Sequence, residues 1–173
     1  MQHESGAILS ETGTRNIAVT TGKFWEGLFD LTTTAFDSSG ADSFSYFYQD
    51  GVGGWTEVTA QSQINNTQYD DGTGTLASLT SNRYGVHWVY IGTDSDIYVI
   101  YGLGDYVIAD AQAAQTSGVP PHIESHGRLI GKVIIQQASA VFESIESAFI
   151  ESFTAIGITD HINLSNIGTN THA

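Results

Sequence analysis

The chain has 173 residues, five Lys and Arg against 19 Asp and Glu, a net charge of −14 and no cysteine. That balance excludes a nucleic-acid or anionic-membrane partner, because such surfaces are held by clustered cations and Arg15, Lys23, Arg83, Arg128 and Lys132 are scattered. The lack of cysteine excludes disulfides and thiolate metal sites.

One domain of this size removes roughly 70% of its unfolded surface from water, so a single core needs no staples. Only 14% of residues are charged; polarity comes from Thr, Ser, Asn and Gln, with 19 Gly and eight Tyr. That is a composition of strands and tight turns. No apolar run is long enough to span a bilayer, and the N-terminus lacks the basic-then-apolar order of a signal peptide, so no membrane insertion is expected.

Residues 1–22 read as short strands broken at Gly6 and Gly13, with "NIAVT" (16–20) the clearest. "GKFWEGLFDLTTTAFD" (22–37) mixes aromatics with β-branched Thr, has no helix cap and reads as extended; "SSGAD" (38–42) is a turn. "SFSYFYQDG" (43–51) alternates, placing Phe44, Tyr46 and Tyr48 on one face. "GVGG" then turns the chain into "WTEVTAQS" (55–62), and 65–80 is a Gly, Asp and Asn-rich loop entering another strand.

The strongest local signal is "RYGVHWVYIGTDSDIYVIYG" (83–102), which predicts a β-hairpin. Tyr84, Val86, Trp88 and Tyr90 share one face, and Gly85, His87, Val89 and Ile91 the other. Both faces are largely apolar, so the hairpin is either central or covered by another subunit. A helix is expected over about 105–115, with Asp105 as its N-cap and Gly118, Pro120 and Pro121 as its stop. "GRLIGKVIIQQ" (127–137) reads as a buried strand. In 141–153, Phe142, Ile145, Phe149 and Phe153 suit either a helix or a strand. The expected fold is mainly β: an antiparallel sandwich-like or β-rich module over 1–157 with one short helix. An extended or helical oligomerisation segment follows over 158–173.

No HExxH, GxSxG, Walker or EF-hand pattern is present. His122 and His126 are four apart in "PPHIESHG", but Pro120, Pro121 and Gly127 leave little room for a helix, and an exposed loop is the plainer reading. "YDDG" (69–72) and "TDSD" (93–96) cluster carboxylates where turns favour Asp anyway. No metal or cofactor is expected; Asp94 and Asp96 are where a cation would go first. Glu143, Glu146 and Glu151 are spaced like a solvated face rather than a glycosidase pair. Trp25 and Trp55 are candidates for stacking on a glycan, Trp55 because it follows "GVGG" at a loop edge; Trp88, mid-hairpin, reads as core.

The closing "DHINLSNIGTNTHA" resembles a short element of bacteriophage tail-fibre and other virion structural proteins, carried here by Asp160, His161, Leu164, Asn166, Ile167, Gly168 and His172. "QINNTQYDDGTGTLASLTSNRYGVHWVYIG", "YGLGDYVIADAQAA" and "RLIGKVIIQQ" are also similar to phage structural modules, so the resemblance covers most of residues 3–173. It implies a virion location after synthesis in the host cytoplasm, a role in assembly or host attachment, and no enzymatic activity. In such proteins the element joins a β-domain to a trimeric shaft. The continuation after His172 is missing, so that shaft is expected to be absent or outside this chain.

Two further function classes stay open: a module that binds or degrades host cell-surface glycan, and a capsid decoration or head-fibre protein. The partners expected are two copies of this chain, other virion proteins and a host glycan. Around a threefold axis Ile158, Leu164 and Ile167 would form apolar layers, and three copies of His161 and of His172 would approach one another. The plainer reading of each His is a hydrogen bond to a nearby backbone carbonyl.

Overall fold

The computed structural model describes residues 1–149; the oligomerisation segment with Ile158, His161, Leu164, Ile167 and His172 lies outside them. Among the described residues the elements run in chain order as follows. The N-terminal strands are β1 (Gln2–Gly6), β2 (Leu9–Thr12), β3 (Asn16–Val19), β4 (Gly22–Glu26), β5 (Phe29–Thr33) and β6 (Phe36–Asp37). Then come β7 (Phe44–Gln49), β8 (Trp55–Gln61), β9 (Gln68–Asp70), β10 (Leu76–Ser78), β11 (Tyr84–Gly92) and β12 (Ile97–Tyr101). Helices α1 (Ile108–Ala113) and α2 (Pro121–His126) precede β13 (Gly127–Gln136) and β14 (Ser144–Ser147). The fold is mainly β, as the composition and alternation predict.

The predicted hairpin is β11–β12, paired antiparallel from His87↔Tyr101 to Ile91↔Ile97. It lies inside a six-stranded sheet of order β14-β13-β11-β12-β7-β8. Strand β7 joins β12 in parallel, and the other pairings in this sheet are antiparallel. Both faces of the hairpin are apolar because both are covered within the chain. On one face, Val89, Ile91, Val99, Tyr101, Phe44 and Tyr46 pack against Leu9, Ile17, Val19, Phe24 and Phe36 of the N-terminal strands. Those strands form two three-stranded sheets, β1-β4-β5 and β2-β3-β6. On the other face Val86, Trp88, Tyr90, Ile100, Phe47 and Ile134 meet Ala111 of α1 and Ile123 of α2. The hairpin is therefore central, and no second subunit is required to explain its pattern. Where 141–153 was ambiguous, the described part forms strand β14, with Ile145 opposite Val133.

Two expectations are corrected. The helix at 105–115 is shorter, and Val107 rather than Asp105 stands at its N-cap without a side-chain cap bond. Asp105 is taken by Thr80, whose backbone N–H and hydroxyl donate to its carboxylate at 3.1 and 2.6 Å. The second correction is α2 itself, in the segment read as a loop. Pro121 opens it at the first helical position, where a missing N–H costs nothing and a fixed φ helps. The chain leaves at Gly127 straight into β13, so one and a half turns fit between the prolines and the strand.

Lys132 of β13 fastens α1 to the sheet. Its ammonium is 5% exposed as a residue, donates to the Gln112 and Ala111 carbonyls at 2.7 and 3.4 Å, and pairs with Glu146 at 2.8 Å. It also sits 5.4 Å from the centre of the Trp88 ring. A cation at the final carbonyls of a helix satisfies groups that otherwise have no partner. Lys132→Met keeps the stem and removes the charged hydrogen bonds, so it should cost about 2 kcal/mol. Equilibrium denaturation checks the value, and amide exchange at 108–113 should rise with it.

Candidate functional site

The cleft around Trp55 encloses about 400 Å³ and is lined by Gln49, Gly51, Gly53, Gly54, Trp55 and Gly72. Trp55 begins β8 directly after the 50–54 loop and lies opposite Gln49 of β7, so the indole and the amide are cross-strand neighbours. The half-buried indole packs by its inner side on the helix-side core, at the margin of the sheet face; α1 and α2 pack on β11 and β13.

The glycines explain the shape of the cleft. A Cβ on Gly51 would stand 2.5 Å from the Thr73 carbonyl oxygen, and one on Gly74 would stand 2.5 Å from that of Asp50. The two loops, 50–54 and 71–74, therefore meet backbone to backbone, which only residues without side chains allow.

The carboxylates at this cleft serve the loops. Asp50 accepts the N–H groups of Val52 and Gly54 at 2.9 and 2.8 Å. Asp70, fully buried, accepts those of Gln49 and Gly72, both at 2.8 Å. Asp71 accepts the N–H and hydroxyl of Thr73 at 2.9 and 2.6 Å. Backbone donors hold Asp50 below the usual carboxylate range, and the Thr73 hydroxyl followed by its N–H does the same for Asp71. All three brace the loops, consistent with the turn reading of "YDDG".

Trp25 lies elsewhere, on β4 beside the β4–β5 hairpin tip. It is 41% exposed, and at the tip Leu28 and Phe29 are 93% and 79% exposed. Gly27, with φ +63°, turns the hairpin in two residues, as the first central position of a type II′ turn requires. The tip is thus an apolar projection rather than a cleft, and the structure does not bring Trp25 and Trp55 into one site.

The Asp94–Asp96 turn borders two smaller clefts. One, of about 200 Å³, is lined by Thr34, Phe36, Asp42, Asp94 and Asp96 among others. There, burial and the Asp94 charge raise the Asp96 carboxyl above its ordinary value. Asp94 accepts the Asp96 N–H at 3.1 Å and so braces the turn. The other, about 190 Å³, brings Asp94 and Tyr98 together with His122 and His126 of α2. Sequence spacing could not join these groups, because 28 residues separate Asp94 from His122. The ring of His122 packs against Phe47 and Tyr98, with centroids 5.3 and 5.7 Å apart. Among the described residues no three His, Asp or Glu side chains converge as metal ligands.

Sequence reasoning missed His87 as a structural pivot. It is fully buried between Tyr46 and Tyr101, with ring centroids 5.7 and 5.1 Å away. Its Nε2 lies 2.7 Å from the Asn65 carbonyl oxygen, so Nε2 carries the proton and donates, and Nδ1 has no partner among the described residues. The Asn65 N–H in turn donates to the Tyr46 hydroxyl at 2.6 Å. Arg15 closes the same loop by donating to Ile64 O, Asn66 Oδ1 and Gln63 Oε1 at 2.8, 3.1 and 2.7 Å. This cation is a brace for residues 63–66.

No protein-family model, no curated protein and no solved structure matches the chain. No described helix is long and apolar enough to cross a membrane.

Proposed function

We propose that the chain is a structural module of a bacteriophage virion, most simply part of a trimeric tail fibre, that serves in assembly and host attachment. The resemblance of the closing segment supports the virion reading, and the β-rich fold is compatible with it. The observation that carries the attachment half is the Trp55 cleft. It offers an aromatic platform beside open backbone and an amide, while the neighbouring carboxylates are committed to loop bracing. That arrangement suits holding a ligand better than hydrolysing one, since hydrolysis needs a free acid and a free base across the bond. Several such sites on one fibre would act together through high effective concentration.

The test is adsorption. The purified chain should be found in the assembled particle, and an excess of it should block attachment of that particle to its host. Trimerisation has its own check: light scattering should return three chains per particle of the purified protein. Deleting 158–173 should leave a folded domain that associates more weakly. A full chain that stays monomeric at high concentration counts against the trimer, and a deletion without effect makes the segment a linker only.

A second reading, a glycan-degrading module, is favoured by one observation: the raised Asp96 carboxyl in a cleft that also holds Asp42 and Asp94. Release of reducing sugar from host polysaccharide, abolished by Asp96→Asn, would select it.

A further inference from the structure

We infer that the Trp55 cleft takes an uncharged pyranose, rejects acidic sugars and needs no calcium to bind. This rests on the attachment reading and narrows it to a ligand class.

The shape argument comes first. Gly51, Gly53, Gly54 and Gly72 line the cleft, and at Gly53 the space where a Cβ would stand is open, so a flat ring can approach the indole past that loop. A sugar ring has an apolar C–H face that stacks on an aromatic, and hydroxyls at its rim that exchange hydrogen bonds with amides. Gln49, directly across from Trp55, supplies a side-chain donor and acceptor at that rim.

The charge argument sets the class. Among the described residues no Lys, Arg or His lines the cleft. Arg15 is spent on residues 63–66, Lys23 on Glu4 at 3.6 Å, and Lys132 on α1 and Glu146. Asp50, Asp70 and Asp71 stand on the loops that form the walls, within a chain of net charge −14. A uronate, sialate, sulfate or phosphate group would enter a negative field with no cation to receive it.

A bridging calcium ion is the usual way around such repulsion, and the geometry disfavours it. The oxygens that Asp50, Asp70 and Asp71 turn toward their loops already accept backbone or hydroxyl donors. These residues form no three-carboxylate group in ligand range. A calcium site needs six to eight converging oxygens.

The experiment uses the full chain and paired probes: lactose and cellobiose as neutral disaccharides, with sialyllactose and cellobiouronic acid as acidic counterparts. Binding is read by saturation-transfer NMR and titration at 20 and 200 mM NaCl, with and without EDTA. At least one neutral probe should bind, unchanged by EDTA, and its acidic counterpart should bind about tenfold more weakly at low salt, with the gap narrowing at 200 mM as charges are screened. Trp55→Ala should abolish binding, and Trp55→Phe, which keeps a ring, should retain part of it.

Equal or tighter binding of the acidic probe, loss of binding in EDTA, or neutral binding that survives Trp55→Ala would each overturn the inference. So would the absence of binding by any probe. If the chain nevertheless sits in the particle and blocks adsorption, the attachment reading stands and only the ligand class falls.

Discussion

Trp88→Ala should cost about 3–5 kcal/mol, the range for emptying an aromatic site in a packed core. The indole is 7% exposed and stands among Val86, Tyr90, Ile100 and Ile134 on the helix-covered face of the central sheet. Its loss opens a cavity under α1 and also removes the aromatic surface beside the Lys132 ammonium. Trp88→Phe should cost much less, because it keeps a ring and removes an indole N–H that has no acceptor among the described residues. Trp25→Ala, at an exposed position, should stay within about 0.5 kcal/mol. Urea denaturation of the three variants measures all of this. Equal costs for Trp25→Ala and Trp88→Ala would mean that the helix-side core is not packed as described.

Acid should weaken the domain before its hydrogen-bonded carboxylates Asp37, Asp50 and Asp71 titrate. Burial lowers the His87 pKa from 6.5 to about 4, against a smaller opposing effect of the Asn65 carbonyl, which favours the charged form. The unfolded chain therefore binds this proton more readily than the folded one. Stability contributed by neutral His87 is complete above pH 6.5 and is lost as the pH falls toward 4, where the loss levels off. Between pH 7.5 and 4.5 the loss from this one group should be about 2.5 kcal/mol. Asp37, Asp50 and Asp71, whose pKa values are lowered by hydrogen bonds, lose their share only below 3.8, so the two windows separate. Chemical denaturation at pH 7.5, 6, 5 and 4.5 should show the slope. His87→Phe should lower stability at pH 7.5, since it strands the Asn65 carbonyl, yet flatten the slope between 6.5 and 4.5. A variant with an unchanged slope would place the titrating group elsewhere.

What was legible in the sequence was what alternation alone decides. Phe44, Tyr46 and Tyr48 share a face, and the 84–101 hairpin sits where period-two patterning and a turn cluster place it. The misreadings arise where a distant residue or a position-specific rule overrides the local pattern. Asp105 looks like a helix cap until Thr80, 25 residues earlier, claims it. Pro121 looks like a helix breaker, yet the first position of α2 is the one place where proline suits a helix. The Trp55 cleft needed two glycine loops, 50–54 and 71–74, to be seen as one structure, and nothing in either loop names the other. The 84–92 alternation placed His87 on one face with Val89 and Ile91, but its pairing with Asn65 is a tertiary fact. For the hairpin, two apolar faces left central burial and subunit contact equally open; the N-terminal strands and the helices close both.

Strands β1 and β2 lean on β14 and the residues that flank it. The Phe142 N–H donates to Glu11 at 3.0 Å across 131 residues of sequence, and the rings of His3 and Phe149 stack with centroids 3.6 Å apart. A ribosome delivers such a chain in an awkward order. Strands β1–β6 emerge first, but the sheet that buries Phe24 and Phe36 is not available until β11–β14 have followed. At ordinary synthesis rates that wait is roughly 5–20 s, long enough for bare apolar strands to find one another on neighbouring polysomes. Long-range pairing of this kind also slows closure of the finished chain. The strands that wait, residues 1–37, carry five acidic groups against two basic ones, so half-made chains of like charge repel one another during that interval.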